Sequence, residues 1–111
     1  MSRYIPDRGD IVWLRFDPAE GHEQAGHRPA VVLSQQAYNG KIGLALFFPI
    51  TSRIKGYPFE VQLPEGLKSS GVVLADHVHS LDWKSREARF IERLPASDIS
   101  AILARTATLL M

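Results

Sequence analysis

The chain has 111 residues, no cysteine, a formal net charge of +1 and 45% apolar residues. Such a composition excludes a disulfide framework, a thiolate metal site and a thiol nucleophile, and the pI of about 8.1 falls short of the ~9 or more typical of a nucleic-acid-binding domain. No run reaches the ~18 apolar residues of a membrane span, and "MSRYIPDRGD" lacks the apolar core of a signal peptide, so one cytoplasmic domain covering 1–111 with no membrane contact is expected. Any basic surface must be local; Arg28, Arg53 and Lys55 are its candidates if the fold brings the first near the other two.

In chain order, "DIVWLRF" alternates as a strand, with Val12, Leu14 and Phe16 on one face and Ile11, Trp13 and Arg15 on the other. A polar loop, "DPAEGHEQAGH", leads into "PAVVLS", an apolar strand whose proline stands at its first position. "YNGK" carries Asn39-Gly40, a tight hairpin-turn signal. "GLALFFPI" is a third buried strand, in which Pro49 demands an edge or a bulge and a bend that re-aims Thr51 and Ser52. "FEVQL" alternates with Phe59, Val61 and Leu63 inward. After the loop "PEGLKSSG" come two more strands, "VVLA" and "EARFIERL", the second with Ala88, Phe90 and Leu94 on one side and Glu92 interrupting that face.

Only the end of the chain reads as helical. In "ASDISAILARTATLLM" the residues Ile99, Ile102, Leu103, Leu109 and Leu110 form one stripe, with Pro95, Ser97 and Asp98 as start signals. Many short strands plus one terminal helix predict a mainly β fold, a small curled antiparallel barrel. Trp13 and Trp83 read as core or interface anchors. His77 and His79 would share a strand face, a spacing compatible with metal, but no third ligand accompanies them.

The stretch "EGHEQAGHRP" at 20–29 crowds two histidines and several charged groups directly before an apolar strand. With "FFPITS", "KGYPFEV", "GVVLADHVHSLDW" and the terminal helix, it resembles the MazF/PemK (Kid) family of toxin endoribonucleases across nearly the whole chain. The resemblance implies an SH3-like barrel with a C-terminal helix, a homodimer, and sequence-selective cleavage of single-stranded RNA without metal or other cofactor. It also implies an antitoxin partner whose flexible, acidic C-terminal segment covers the RNA-binding surface. By the same resemblance Glu23, Arg28 and Thr51 are catalytic. His22 and Asp76 match further Kid-branch positions, but Leu74 stands where that branch has an arginine, which favours the Glu23–Arg28–Thr51 version. The resemblance and aromatic character together assign RNA binding to Lys55 and Tyr57 in the 53–57 loop. Gln24 and His27 are suited to reading base edges, and Ser52 is placed with them beside the bend.

Metal-free RNA cleavage uses the substrate's 2′-OH, and the protein must remove one proton, supply another and stabilise phosphoryl charge. Arg28 suits the last role: its planar fork holds a phosphate bidentately, and with a pKa of at least ~12.5 it is a poor base. Glu23 is a candidate base, His22 serves as either acid or base, and Thr51 offers a hydroxyl donor. Rival readings are plain ones: a solvated loop, an Arg28 stem covering the strand, a turn role for Thr51. Asp76 likewise has a backbone-bonding alternative. A non-catalytic gyrase poison like CcdB shares the barrel, but its Trp-Gly-Ile tail is absent from "TATLLM".

Overall fold

In a computed structural model of the protein, residues 4–15 and 27–111 are described. Seven strands and two helices follow in order: β1 (Asp10–Arg15), β2 (His27–Val32), α1 (Gln36–Ile42), β3 (Ala45–Thr51), β4 (Glu60–Gln62), β5 (Val72–Leu74), β6 (His79–Leu81), β7 (Arg89–Arg93) and α2 (Ala96–Ala107). Pairing is antiparallel along the path β4-β5-β3-β2-β1-β7, with β6 joined to β3 off that path. The mainly β class with a terminal helix is the one expected. Among the described residues the ladder is an open path, with no pairing between β4 and β7.

The sheet buries both faces. On one, Ile11, Val31, Phe48, Ile50, Leu63, Val73, Ala75 and Leu94 pack with Ile102 of α2. On the other, Val12, Leu14, Ala30, Val32, Ala45 and Phe47 pack beneath Tyr4, Leu81, Trp83 and Ala88. Double coverage explains why Ile11, on the face of β1 opposite Val12 and Leu14 as expected, is buried as fully as they are. Phe16 lies outside the described residues.

β3 meets three partners, and Pro49 marks where they change. Leu33 donates its N–H to the Leu46 carbonyl, so alternation turns the backbone polar groups of Phe47, Pro49 and Thr51 away from β2. On that far side β6 pairs with 45–47 and β5 with 50–51. Pro49 therefore sits in the gap between two partners, where its missing N–H leaves no ladder bond unmade. The edge or bulge expected at this residue is not found: β3 is central and its registers run without a shift, and a change of partner accommodates the proline instead.

Three expectations need correction. Asn39-Gly40 is no hairpin turn: it lies within α1, and the reversal comes at Gly43, whose φ of 85° caps the helix. Tertiary bonds override the local signal. Asn39 is fully buried, donates from Nδ2 to the carbonyls of Pro6 (2.8 Å) and Ser34 (3.0 Å), and accepts the Ser34 hydroxyl at 2.5 Å. Trp83 Nε1 donates to the Asn39 carbonyl at 3.0 Å, which gives Trp83 its anchoring role. Second, the face expected for Ala88, Phe90 and Leu94 is split. The β1–β7 register shifts between Ile11↔Glu92 and Val12↔Phe90, so Ala88 packs in one core and Leu94 in the other. Phe90 is left exposed, its ring edge-on to Tyr4 at 5.9 Å. Third, the helical stripe ends early: α2 stops at Ala107, and Leu109 and Leu110 are exposed beyond it.

Polar groups at the sheet margins are satisfied by side chains. Buried Asp10 takes the Tyr4 hydroxyl at 2.6 Å and the Arg93 guanidinium at 2.7 Å, so its charge is paired. Glu92 accepts the N–H groups of Lys68 and Ser69, each at 2.8 Å. Burial works against the Glu92 carboxylate, but these bonds outweigh it and hold its pKa below the ordinary value.

Replacing Asn39 by Leu strands the Ser34 hydroxyl and two buried carbonyls, and should cost about 2–4 kcal/mol in a denaturant titration. Glu92 gives a pH signature with a definite sign. Its folded pKa is depressed, so its stabilisation is fully present above the unfolded carboxyl pKa and disappears as pH falls through the lower folded value. Glu92→Gln should therefore melt below wild type at pH 7, and the two melting temperatures should converge on acidification below the carboxyl range.

Candidate functional site

β2 and β3 run antiparallel with Ala30 opposite Pro49. The same register carried two residues further sets Arg28 across from Thr51, and Arg28 also faces Leu14 on β1. Alternation puts both side chains on the sheet face that bears Ala30 and Phe47, at the margin of its apolar cluster. There Arg28 is exposed and Thr51 half-buried, and Arg28 makes no hydrogen bond or ion pair to a described residue.

Thr51 is held from two sides. Its Oγ1 accepts the Arg53 N–H at 3.1 Å, which leaves the hydroxyl proton for an acceptor in front of it. On the β5 side, Gly71 (φ 115°) closes on the Thr51 backbone; a Cβ there would meet the Thr51 carbonyl oxygen at 2.3 Å. Glycine meets both demands, close approach and positive φ.

Beyond Thr51 the exposed segment 52–58 bends over a cleft of about 260 Å³, lined by Thr51, Arg53, Lys55, Tyr57, Glu60, Leu74 and His77. Arg53 and Lys55, with Arg28 opposite Thr51, give the locally basic surface that net charge could not reveal. Glu60, at the start of β4, turns its carboxylate back on the loop. Oε1 accepts the N–H groups of Lys55 (3.2 Å), Gly56 (2.9 Å) and Tyr57 (3.3 Å), and Oε2 accepts Lys55 again at 3.1 Å. The far end of the loop is tied to α2, where the Arg105 guanidinium donates to the Pro58 carbonyl.

Tyr57 donates its hydroxyl to Asp76 Oδ2 at 2.8 Å. That bond, reinforced by the carboxylate's charge, raises the phenol's pKa above its ordinary value. Asp76 Oδ1 is buried without a hydrogen bond to a described residue, with His77 Nε2 at 3.7 Å. Burial first, then the neighbouring His77 and Arg86, lower the pKa of His79 from its ordinary value. No group of three or more His, Asp or Glu able to hold a metal ion occurs among the described residues.

Of the residues singled out in the sequence, Thr51, Arg53, Lys55 and Tyr57 line this cleft, Asp76 joins it through the Tyr57 hydroxyl, and Arg28 stands on the neighbouring strand outside its lining. His27 lies on the opposite side of β2 from Arg28, stacked on Trp13 with ring centroids 6.3 Å apart and 3.4 Å from Glu87. Ser52 is exposed just past the strand end and does not line the cleft. His22, Glu23 and Gln24 lie outside the described residues. Glu60 and His77 were not singled out as cleft residues. Glu60 carried one signal, its outward position in the alternating "FEVQL", which reads equally as solvent exposure.

A family model described as PemK-like, MazF-like toxin of type II toxin-antitoxin system matches residues 7–110. The endoribonuclease toxin MazF of Escherichia coli is 57% identical over 88 residues, covering 79% of this chain and 78% of that protein. Escherichia coli endoribonuclease PemK is 32% identical over 109 residues, covering 94% and 81%. Among solved structures, a MazE-MazF crystal structure from Deinococcus radiodurans aligns with a TM-score of 0.92 at 55% identity, covering 97% of each chain. The matched segment contains both strands that carry Arg28 and Thr51, the loop that roofs the cleft and the helix that tethers it, and the chain belongs to the MazF/PemK family of toxin endoribonucleases of type II toxin-antitoxin systems.

Proposed function

We propose that the chain is a toxin endoribonuclease that cuts single-stranded RNA at a defined sequence, without a metal ion, and is neutralised by a MazE-like antitoxin. What supports this reading is a cleft lined by Thr51, Arg53 and Lys55, with a β2–β3 register that, extended two residues past Ala30↔Pro49, sets Arg28 across from Thr51. A phosphodiester laid there meets a bidentate cation, a hydroxyl donor and two further positive charges. In the proposed reaction the 2′-oxygen attacks the adjacent phosphorus as its proton passes to a base, and the bond to the 5′-oxygen breaks as that oxygen gains a proton. The products are a 2′,3′-cyclic phosphate and a 5′-OH end.

Arg28 stabilises the charge that builds on the phosphoryl oxygens, and the Thr51 hydroxyl donates to one of them. Glu23 or His22 takes the 2′-proton; both belong to the segment between β1 and β2, which runs directly into the strand of Arg28. Splayed bases lie over the loop at 53–57, where Tyr57 offers a stacking face and Lys55 a phosphate contact. Gln24 and Ser52 are assigned further RNA contacts in the proposal and Asp76 acts through Tyr57, whereas His27, on the opposite side of β2 against Trp13 and Glu87, is left out of this surface. The active unit is proposed to be a homodimer. The antitoxin's acidic, flexible C-terminal segment competes for the same positive charges that receive RNA, which explains neutralisation without a conformational change in the toxin.

Mapping the 5′-OH ends released from a long mixed-sequence RNA tests the reaction and reads its specificity together. Cleavage should persist in EDTA and cease when the attacking 2′-OH is replaced by hydrogen; cutting of that deoxy substrate would sink the mechanism. Arg28→Ala should lower kcat by on the order of 100- to 1,000-fold, the loss expected for removing a preorganised charge-stabilising donor. Because Arg28 is exposed and bonds to no described side chain, the variant should melt as wild type does.

A further inference from the structure

Three consecutive backbone N–H groups converging on one point form an anion-binding concavity. In this protein the N–H groups of Lys55, Gly56 and Tyr57 converge in that way, and the anion is internal: Oε1 of Glu60. The convergence requires an unusual turn, supplied by Gly56 at φ 77°. We propose that Glu60 is a positioning residue for RNA recognition, a carboxylate clamp that fixes the direction in which Lys55 and Tyr57 project over the cleft. The inference rests on the endoribonuclease reading and deepens it.

Segment 52–58 is exposed along its length, and its other ties to described residues are at its ends: the Arg53 N–H to Thr51, the Tyr57 hydroxyl to Asp76, the Glu60 N–H to the Tyr57 carbonyl and the Arg105 guanidinium to the Pro58 carbonyl. None of these acts on the backbone of residues 55 and 56. With the clamp, the backbone of residues 55–57 is held by four contacts from one side chain of β4, three of them on residues 55 and 56, and β4 is itself paired to β5 through Glu60↔Leu74. The loop thus inherits the rigidity of the sheet, and the entropy of ordering it is met on folding rather than on binding. The clamp also has an electrostatic role. It fills the concavity with negative charge, so an RNA phosphate cannot settle on these N–H groups and is left to Lys55, Arg53 and Arg28. Glu60 touches no reacting atom in this scheme; it decides which bases find a surface.

The test compares wild type, Glu60→Ala and Glu60→Gln in three measurements: amide hydrogen exchange at residues 55–57, the distribution of 5′-OH ends from a long mixed-sequence RNA, and kcat and KM on an oligonucleotide bearing the preferred site. In wild type the three amides should be protected. Glu60→Ala should lose that protection, raise KM by on the order of tenfold with kcat changed by less than about threefold, and cut a broader set of sequences. Glu60→Gln keeps one acceptor oxygen and should fall between the two, a graded rescue that a merely destabilising change would not produce. The inference is overturned if Glu60→Ala cuts the same sequences with the same KM, if its loss is confined to kcat, or if the wild-type amides exchange freely. A wild-type protein that cuts no RNA is a separate outcome: it overturns the endoribonuclease reading and, with it, the role of the clamp.

Discussion

The constraint on which the rest of this structure depends is the change of partners along β3. One strand of seven residues has to pair with β2 on one side and with β6 and then β5 on the other, while burying side chains on both faces. Pro49 resolves the conflict, because its ring stands where neither β6 nor β5 requires a donor. A residue with an N–H at this position would leave a donor facing the gap between His79, the last partner from β6, and Val73, the first from β5. The change of partner frees Thr51 to end the strand at the cleft, opposite Arg28, with the loop at 52–58 leaving in a new direction. The site is therefore a by-product of how one central strand is shared.

A second pattern runs through the periphery. Four loops or turns owe their shape to one polar side chain: Asn39 donates to the Pro6 carbonyl and ties α1 to the N-terminal segment, while three carboxylates accept, Asp10 tying Tyr4 to Arg93, Glu92 ordering Lys68 and Ser69, and Glu60 ordering residues 55–57. A chain this short has little apolar surface to spend on its connections. Backbone N–H groups away from water still require partners, and charged acceptors make the stronger bonds. The carboxylates thus do for the loops what the two apolar clusters do for the strands.

Much of this architecture was legible in the sequence because alternation and apolar runs report burial directly. β1 to β5 and β7 overlap the stretches "DIVWLRF", "PAVVLS", "GLALFFPI", "FEVQL", "VVLA" and "EARFIERL", and α2 falls where the helical stripe begins. What was not legible shares one physical cause: dependence on partners far away in the chain. Asn39-Gly40 carries a turn signal, and nothing nearby announces that Pro6, 33 residues earlier, supplies the carbonyl that draws Asn39 into a helix. The β7 bulge depends on the register of β1, so Phe90 and Leu94 could not be sorted to different faces from their own alternation. Glu60 looks like any outward strand residue until the loop folds back on it. For the site, the motif around Arg28 and Thr51 named the residues by family likeness. Their opposition across β2 and β3 came only with the register, and so did the separation of His27 from them.

Gly71 carries a consequence of a different kind. It holds no charge, donates to no ligand and lines no part of the cleft, yet the backbone of Thr51 has grown around the hydrogen that takes the place of a side chain there. Any other residue must either displace the strand end or abandon the left-handed turn that brings β5 alongside it. In a library of single substitutions scored by toxicity, position 71 would therefore rank with the residues of the cleft, and a survey of functional scores alone would assign chemistry to an atom that is only making room. Tolerance to substitution, in this fold, measures distance from the Thr51 carbonyl as much as distance from the substrate.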